Sequence, residues 1–251
     1  MSDDPYGDPR LVQLYDADNP DGPDHDFYRA LADRLDARTI VDLGCGTGLL
    51  THTLARPGRT VIGIDPSAAM LEQARQRPGS QQVDWRLGDS SAIGAAAADL
   101  AIMSGNVAQH LLGKTWQRSL RDLHDGLRPG GTVAFESRNP QARQWETWTR
   151  DATYGTRDTS HGPLSEWLEP VEAGIDPAGG EVTFATHNVF QATGEHLVLK
   201  MTLDFRSQER LAADLAAAGL HDIGFAGGWA AEPVTASSRL LVVTARRPGS
   251  P

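Results

Sequence analysis

Acidic and polar side chains follow two short apolar runs in the first hundred residues. Asp65 ends the run "VIGID", and Asp89 and Ser90 follow the run "VDWRL". A carboxylate at the end of a buried strand can accept hydrogen bonds from both hydroxyls of a ribose, and Asp89 with Ser90 can meet the amino group of an adenine. Each observation also has a local explanation, since Asp65 can cap a helix that begins at Pro66 and Gly-Asp-Ser favours a tight turn.

A glycine-rich stretch, "DLGCGTG", lies upstream of these acids, with Gly44, Gly46 and Gly48 at alternate positions. A strand, a glycine turn and a helix start bring free backbone N–H groups together at the positive end of a helix dipole, which suits an anionic or polar ligand. The spacing differs from the G-x-G-x-x-G of dinucleotide sites, and the chain has no P-loop lysine motif. The loop therefore indicates a ligand site of another kind.

Two further side chains are candidates for the chemistry itself. His110, in "SGNVAQHL", has the ordinary pKa of about 6.5 that suits a base acting on an oxygen or nitrogen nucleophile; the alternative is a structural hydrogen bond. Arg138, in "FESRNP", can clamp a substrate carboxylate or phosphate, or it can pair with Glu136 or another acid. Both alternatives stay open at the level of the sequence.

The elements that position these residues are short apolar runs alternating with helical stretches, from Thr39 to Arg138. Apolar strands separated by helices predict a parallel sheet covered on both faces, an α/β fold. An amphipathic helix is predicted from Phe27 to Asp36, because apolar residues recur there at helical spacing. The candidate ligand residues then lie at the carboxyl ends of strands, where ligands gather in such sheets.

The remaining segments predict one domain with additions. Residues 1–26, rich in Asp, Pro and Gly, are interpreted as a loosely packed N-terminal arm, and residues 27–251 as a single domain with a lid and hairpin insertion at about 141–206. "EVTFATHNVFQ" and "EHLVLKMTLDFR" flank a short turn and predict the hairpin. Residues 141–180 show no clear period and are interpreted as a loop or lid with one helix. Its tryptophans either wall a substrate or anchor the segment to the core: Trp145, Trp148 and Trp167.

Composition excludes several classes of protein. The 251 residues carry 23 Lys and Arg against 33 Asp and Glu, a net charge of −10, which argues against nucleic acid as a partner. No run approaches the roughly 20 apolar residues of a membrane helix, and the N-terminus lacks the pattern of a secretory signal. Cys45 is the only cysteine, so we expect no internal disulfide and a cytoplasmic location. The histidines show no convincing metal spacing, so we predict no metal.

Five motifs together resemble the class I methyltransferases that use S-adenosylmethionine: "VDLGCGTG", "GIDPSAAML", "LGDSS", "DLAIMSGNVAQHL" and "LRPGGTVAFESRNP". The resemblance covers about Ile40 to Pro140. It implies a Rossmann-like sheet of seven mostly parallel strands, with helices on both faces and an antiparallel last strand, "SRLLVVTAR". The predicted β-hairpin is then an insertion into that fold.

The same resemblance implies which residues meet S-adenosyl-L-methionine. The backbone of Gly44 and Gly46 would contact its methionine portion, Asp65 its ribose, and Asn106 would lie close to the methyl-bearing sulfur. Asp42 would order the loop or bind the amino group through water, and Tyr15 would close over the cofactor or serve as a surface anchor. The full predicted set is Tyr15, Asp42, Gly44, Cys45, Gly46, Asp65, Pro66, Met70, Asp89, Ser90 and Asn106.

The expected activity is transfer of a methyl group to oxygen, nitrogen or carbon of a small-molecule acceptor. Such a transfer is an in-line displacement in which orientation supplies about 7–11 kcal/mol of the barrier, so a catalytic base is optional. Three alternatives stay open: a cofactor-binding protein without activity, an RNA or protein methyltransferase, and an NAD oxidoreductase, which the glycine spacing disfavours. The sequence makes no prediction of oligomeric state.

Overall fold

The computed structural model describes residues 6–95, 98–176 and 178–249, so the first five residues of the predicted arm lie outside the described residues. The helices are α1 Pro9–Asp18, α2 Pro23–Arg34, α3 Thr51–Leu54, α4 Ala68–Arg75, α5 Val107–His110, α6 Gly113–Gly126, α7 Arg150–Thr153 and α8 Gln208–Ala217. The strands are β1 Thr39–Leu43, β2 Thr60–Asp65, β3 Val83–Leu87, β4 Ala98–Met103, β5 Leu127–Arg138, β6 Gly155–Thr159, β7 Gly162–Asp176, β8 Gly179–Phe190, β9 Glu195–Arg206, β10 His221–Ala226 and β11 Leu240–Arg246.

The central sheet has seven strands in the order β10-β11-β5-β4-β1-β2-β3. Strands β1 to β5 pair in parallel, and β11 pairs antiparallel with both β5 and β10. The order reverses beside β1, between β4 and β2, and ligands bind at such switch points in open α/β sheets. The predicted Rossmann-like fold, including the antiparallel last strand, is confirmed.

Helices cover both faces of this sheet because each presents an apolar stripe to it. Trp116, Leu120 and Leu123 of α6 recur at helical spacing and are buried in one cluster. On the opposite face, Tyr28 and Leu31 of α2 lie in a second cluster. The two clusters fix the strands, and with them the loops at their carboxyl ends.

The insertion is a four-stranded antiparallel sheet in the order β6-β7-β8-β9, which we call the insertion sheet. The predicted hairpin is present as β8 and β9. The interpretation of residues 141–180 as a loop or lid with one helix was wrong for most of the segment, since β6 and β7 lie there. The α-helix that the structure describes in this segment is α7. The alternation in β7 is interrupted by a register shift between Pro170 and Glu172, as expected where proline cannot donate to the ladder.

Two of the tryptophans anchor the segment before the insertion sheet. The ring of Trp145 lies 5.0 Å from that of Phe205, and the ring of Trp148 lies 4.8 Å from that of Phe184. These residues belong to one apolar cluster. Of the two roles considered for Trp145 and Trp148, the anchoring role is the one that their contacts support.

The N-terminal segment is packed more closely than its composition predicts. Val12 and Leu14 of helix α1 are buried. The guanidinium of Arg10, on the same helix, lies 2.6 Å from a carboxylate oxygen of Glu195 on β9. In the part of the chain that the structure describes, no helix has the length and apolar character needed to cross a membrane.

Candidate functional site

The glycine loop after β1 requires glycine for two physical reasons. Gly44, Gly46 and Gly48 have φ values of 76°, 54° and 73°, which side chains with a Cβ rarely adopt. A Cβ at Gly44 would lie 2.4 Å from a methyl group of Val107, and one at Gly48 would lie 2.4 Å from the ring of Trp85. The loop is therefore packed closely against α5 and β3.

Asp65 ties this loop to the end of β2. One of its carboxylate oxygens accepts a hydrogen bond from the backbone N–H of Gly46 (2.8 Å), and the other accepts one from the N–H of Ser67 (2.8 Å). Ser67 is in turn the N-cap of α4, because its hydroxyl accepts from the N–H of Met70. Asp65 thus supports the loop and the helix start, in addition to facing the cavity described next.

A cavity of about 340 Å³, which we call the first cavity, lies between the glycine loop and the ends of β2, β3 and β4. It brings together most of the predicted cofactor residues: Tyr15, Gly44, Gly46, Asp65, Pro66, Met70, Asp89 and Ser90. The apolar side chains of Met70, Val107 and Leu111 line it together with the carboxylates of Asp65 and Asp89. The apolar walls suit a flat base and a carboxylate can accept hydrogen bonds from ribose hydroxyls, so this lining fits an adenosyl group.

Asp89 and Ser90 are held by local partners on the rim of the first cavity. Asp89 accepts from the hydroxyl and the N–H of Ser91, and these bonds, with the guanidinium of Arg118, hold the pKa of Asp89 below its usual value. The hydroxyl of Ser90 donates to Asp122 at 2.6 Å. Asp89 is therefore ionised at neutral pH, while the Ser90 hydroxyl is engaged away from the cavity.

Asp42 lies beneath the glycine loop, outside the cavity walls. Thr51 donates to one of its carboxylate oxygens at 2.7 Å, and the other oxygen is buried without a partner among the described residues. Burial raises the pKa of Asp42 to about 7. Both roles considered for Asp42, ordering the loop and binding the amino group through water, stay predictions.

A second cavity of about 280 Å³ lies over the carboxyl ends of β1, β4 and β5. Cys45, Asn106, Glu136 and Arg138 line it. It shares Tyr15 and the backbone of Gly44, Gly46 and Gly105 with the first cavity. A ligand in the second cavity therefore lies next to a ligand in the first.

Arg138 lines the second cavity without a counter-ion. Its guanidinium donates to the side-chain oxygen of Gln109 at 3.0 Å and lies 5.4 Å from the ring centre of Trp148. Within residues 6–95, 98–176 and 178–249, no carboxylate forms an ion pair with it, so the pairing with Glu136 considered above is not formed. Burial lowers the pKa of Arg138 from its ordinary value.

Glu136 has different partners, which the sequence did not predict. Its carboxylate accepts hydrogen bonds from the phenol of Tyr28 and from the backbone N–H of Asn106. Glu136 is only 2% exposed, and burial raises its pKa to about 7 against the opposing effect of these two bonds. Asn106 itself is left-handed, with φ of 62°, and its side-chain oxygen is buried without a hydrogen-bond partner in the described part of the chain.

His110 lies in the first cavity rather than the second. The phenol of Tyr6 lies 3.5 Å from its Nε2, and burial, assisted by the charge of Arg138, lowers the pKa of His110 to about 4. The imidazole of His110 is therefore neutral at pH 7, and it is a weak base. Tyr6 was not among the predicted residues, and no signal marked it, because its segment has no periodicity.

A third cavity of about 260 Å³ separates α1 from the insertion sheet. Trp167, His187 and Asn188 line it, and the ring of Trp167 stacks on that of His187 with a centroid distance of 4.6 Å. Tyr15 lines all three of these cavities.

The sequence of the chain is similar to those of known methyltransferases. Residues 40–131 match the family model described as "Methyltransferase domain". Cypemycin N-terminal methyltransferase of a Streptomyces species is 30% identical over 221 residues, which span 85% of this chain and 84% of that protein.

Solved structures agree over nearly the whole chain. The CcbJ methyltransferase of Streptomyces caelestis has a TM-score of 0.80 at 23% identity and covers 100% of both chains. CalS10 of Micromonospora echinaspora, an amino pentose methyltransferase bound to S-adenosylmethionine, has a TM-score of 0.64 at 20% identity, over 93% of this chain and 96% of its own. At these identities the two structures show that the fold is shared.

Proposed function

Since the chain belongs to the class I S-adenosylmethionine-dependent methyltransferases, we propose that it is an N-methyltransferase whose acceptor is a small amine bearing an acidic group. Its cofactor, when bound, supplies an electrophilic methyl group. The chain's own residues then have to hold the cofactor, align the acceptor nitrogen and exclude water. Asp65, Asp89 and the backbone of Gly44 and Gly46 are our candidates for the first task, and Tyr15 for the last.

The observation that carries the proposal is the lone guanidinium of Arg138 in the second cavity. A partly buried charge without an ion-pair partner is costly. No carboxylate among the described residues lies within ion-pair distance of Arg138, although the charge of Glu136 acts on it at longer range. A carboxylate or phosphate on the acceptor would complete the site through paired, charge-assisted hydrogen bonds. We therefore assign the acidic end of the acceptor to Arg138.

Acidic residues in the same cavity favour an amine at the other end of the acceptor. Glu136 and Asp24 both line the second cavity, and carboxylates attract a cationic ammonium group. The names of two similar proteins support this assignment, since one is an N-terminal methyltransferase and the other an amino pentose methyltransferase. Asn106, left-handed and with a buried free oxygen, is a further candidate for contact with the acceptor nitrogen.

A panel of matched acceptors tests the proposal. The chain would be incubated with labelled cofactor and with β-alanine, glucosamine 6-phosphate or a dipeptide, each beside its counterpart without a free amine: 3-hydroxypropionate, glucose 6-phosphate or the N-acetylated dipeptide. We expect formation of S-adenosylhomocysteine with at least one amine and not with its counterpart. Methylation of the hydroxyl compounds alone would contradict the proposal.

Arg138→Gln is expected to lower kcat/KM for an acidic amine by about 10- to 100-fold, because a charge-assisted hydrogen bond is worth roughly 1.5–3 kcal/mol. The loss should lie mainly in KM, and calorimetry should find the Kd for S-adenosylhomocysteine unchanged. The matched control is Arg143→Gln, since Arg143 is exposed and paired with Glu146. Loss of S-adenosylhomocysteine binding would assign Arg138 to the cofactor instead.

We further propose a cytoplasmic location and no nucleic-acid partner. The single Cys45 supports the first and the net charge of −10 supports the second. Both rest on composition.

A further inference from the structure

Glu136 is a buried acid with unused acceptor capacity facing the second cavity. Its carboxylate receives one hydrogen bond from Tyr28 on α2 and one from the backbone of Asn106 after β4. An ionised carboxylate has about four acceptor positions, so two bonds leave room for a third donor. The side chain lines the same cavity as Arg138.

An amine acceptor presents this cavity with a proton problem. Near neutral pH an aliphatic amine carries a proton, and an ammonium nitrogen has no lone pair with which to attack a methyl group. A group near the acceptor must remove that proton, and a useful base has a pKa near the working pH. The reaction therefore asks for a proton acceptor in the second cavity.

We propose that Glu136 is the general base of this enzyme and takes the proton from the ammonium form of the acceptor. The inference rests on the proposed amine acceptor. In the step, one N–H bond of the ammonium breaks and an O–H bond forms on Glu136, and the electron pair stays on nitrogen as the lone pair that attacks the methyl group. Glu136 passes the proton to solvent when the product leaves.

The other groups suited to this role by type are placed less well. In the second cavity, His25 is hydrogen-bonded to Asp21 and lies 3.8 Å from Asp24. His110 lies in the first cavity, and its pKa of about 4 makes it a weak proton acceptor. Asp42 does not line the second cavity, and one of its carboxylate oxygens accepts a hydrogen bond from Thr51 beneath the glycine loop. Glu136 combines access to the cavity with a pKa raised to about 7 by burial.

Charged and titratable groups surround Glu136 on several elements. Tyr28 and Asp24 face it from α2; the hydrogen bond from Tyr28 lowers the pKa of Glu136, and the charge of Asp24 raises it. Tyr15 on α1 and Arg138 on the same strand also interact with its charge. A change at any of these residues will move the titration of Glu136.

The test measures how kcat/KM for an amine from the panel above depends on pH, in the wild-type protein and in Glu136→Gln. We expect the wild-type rate to rise with pH through a limb near 7. The variant should lose about 100-fold or more at pH 7, the usual scale for a general base, and recover most of that loss near pH 10, where the amine is already neutral. Glu172→Gln, an exposed acid on β7, is the control and should keep the wild-type profile.

Tyr28→Phe gives the test a signature that a purely structural role would not produce. Removing the phenol hydroxyl removes a hydrogen bond that lowers the pKa of Glu136. The acid limb of the pH profile of kcat/KM should therefore move to higher pH. Labelling glutamate carboxyls with carbon-13 supplies a readout independent of activity. The carboxyl resonance that is absent from the spectrum of Glu136→Gln belongs to Glu136. It should titrate near neutral pH in the wild type, and its titration midpoint should move to higher pH in Tyr28→Phe.

The outcomes separate the two proposals. A wild-type chain that methylates no amine at any pH overturns both. A chain that methylates amines while Glu136→Gln, shown by S-adenosylhomocysteine binding to be folded, keeps the wild-type pH profile overturns only the assignment of the base. A uniform loss in Glu136→Gln at all pH values, with no shift of the limb in Tyr28→Phe, also overturns it.

Discussion

Replacing Asp204 with alanine is expected to lower the free energy of unfolding by about 3–5 kcal/mol, the cost of breaking a buried ion pair from one side. Asp204 and Arg206 on β9 are 1% and 0% exposed, and their side chains approach to 2.9 Å. Arg206 also donates to the backbone carbonyls of Ala108 and Leu111 at the end of α5. Without the carboxylate, the guanidinium keeps its charge in a buried place and loses the group that compensates it.

Urea denaturation of the wild type and Asp204→Ala measures this effect. Asp158→Ala is the matched control, because Asp158 is an exposed acid on β6 of the same insertion sheet and surface substitutions usually change stability by less than about 0.5 kcal/mol. A change below 1 kcal/mol for Asp204→Ala would show that the pair contributes little. Since Leu111 lines the first cavity, S-adenosylhomocysteine binding should weaken along with the loss of stability.

Replacing Asp65 with alanine is expected to weaken S-adenosylhomocysteine binding by about 1.5–3 kcal/mol, as for loss of hydrogen bonds to a charged group. The variant should also be less stable by about 1–2 kcal/mol, because Asp65 accepts from the backbone of Gly46 and Ser67. Calorimetric titration measures the first effect, and denaturation measures the second.

Ser67→Ala separates the two contributions of Asp65. Ser67 caps α4 with its hydroxyl, so the variant should lose stability at that helix while Asp65 keeps its place at the first cavity. We expect its Kd for S-adenosylhomocysteine to stay close to the wild-type value. An unchanged Kd in Asp65→Ala would remove Asp65 from the cofactor site.

Much of the fold was predictable because its signals are local. The alternation of apolar runs and helical stretches between Thr39 and Arg138 predicted the parallel sheet, and the glycine spacing marked the turn after β1. The insertion sheet was predicted only in part. Strands β8 and β9 alternate clearly, whereas β7 carries acids and a proline at its register shift, and its pairing with β8 is what makes it a strand.

The residues of the candidate site were likewise predictable where the signal is local and not where it depends on contacts between distant parts of the sequence. Strand ends identified the residues that the structure gathers at the first cavity, such as Asp65 and Asp89, because the carboxyl ends of parallel strands meet at one edge. Pairings across long separations were not predictable. The sequence suggested Glu136 as a partner for Arg138, yet its partners are Tyr28 and Asn106, which reach it from α2 and from the loop after β4.

Helix α1 has a thermodynamic consequence for the affinities of the two ligands. Its Tyr15 lines the first, second and third cavities together, and its Asp18 is held by Arg157 of the insertion sheet at 2.7 Å. A ligand that contacts Tyr15 in either of the first two cavities favours the docked helix for the other. The cofactor and acceptor affinities are then linked, and linkage is reciprocal: the factor by which the cofactor tightens the acceptor equals the factor by which the acceptor tightens the cofactor.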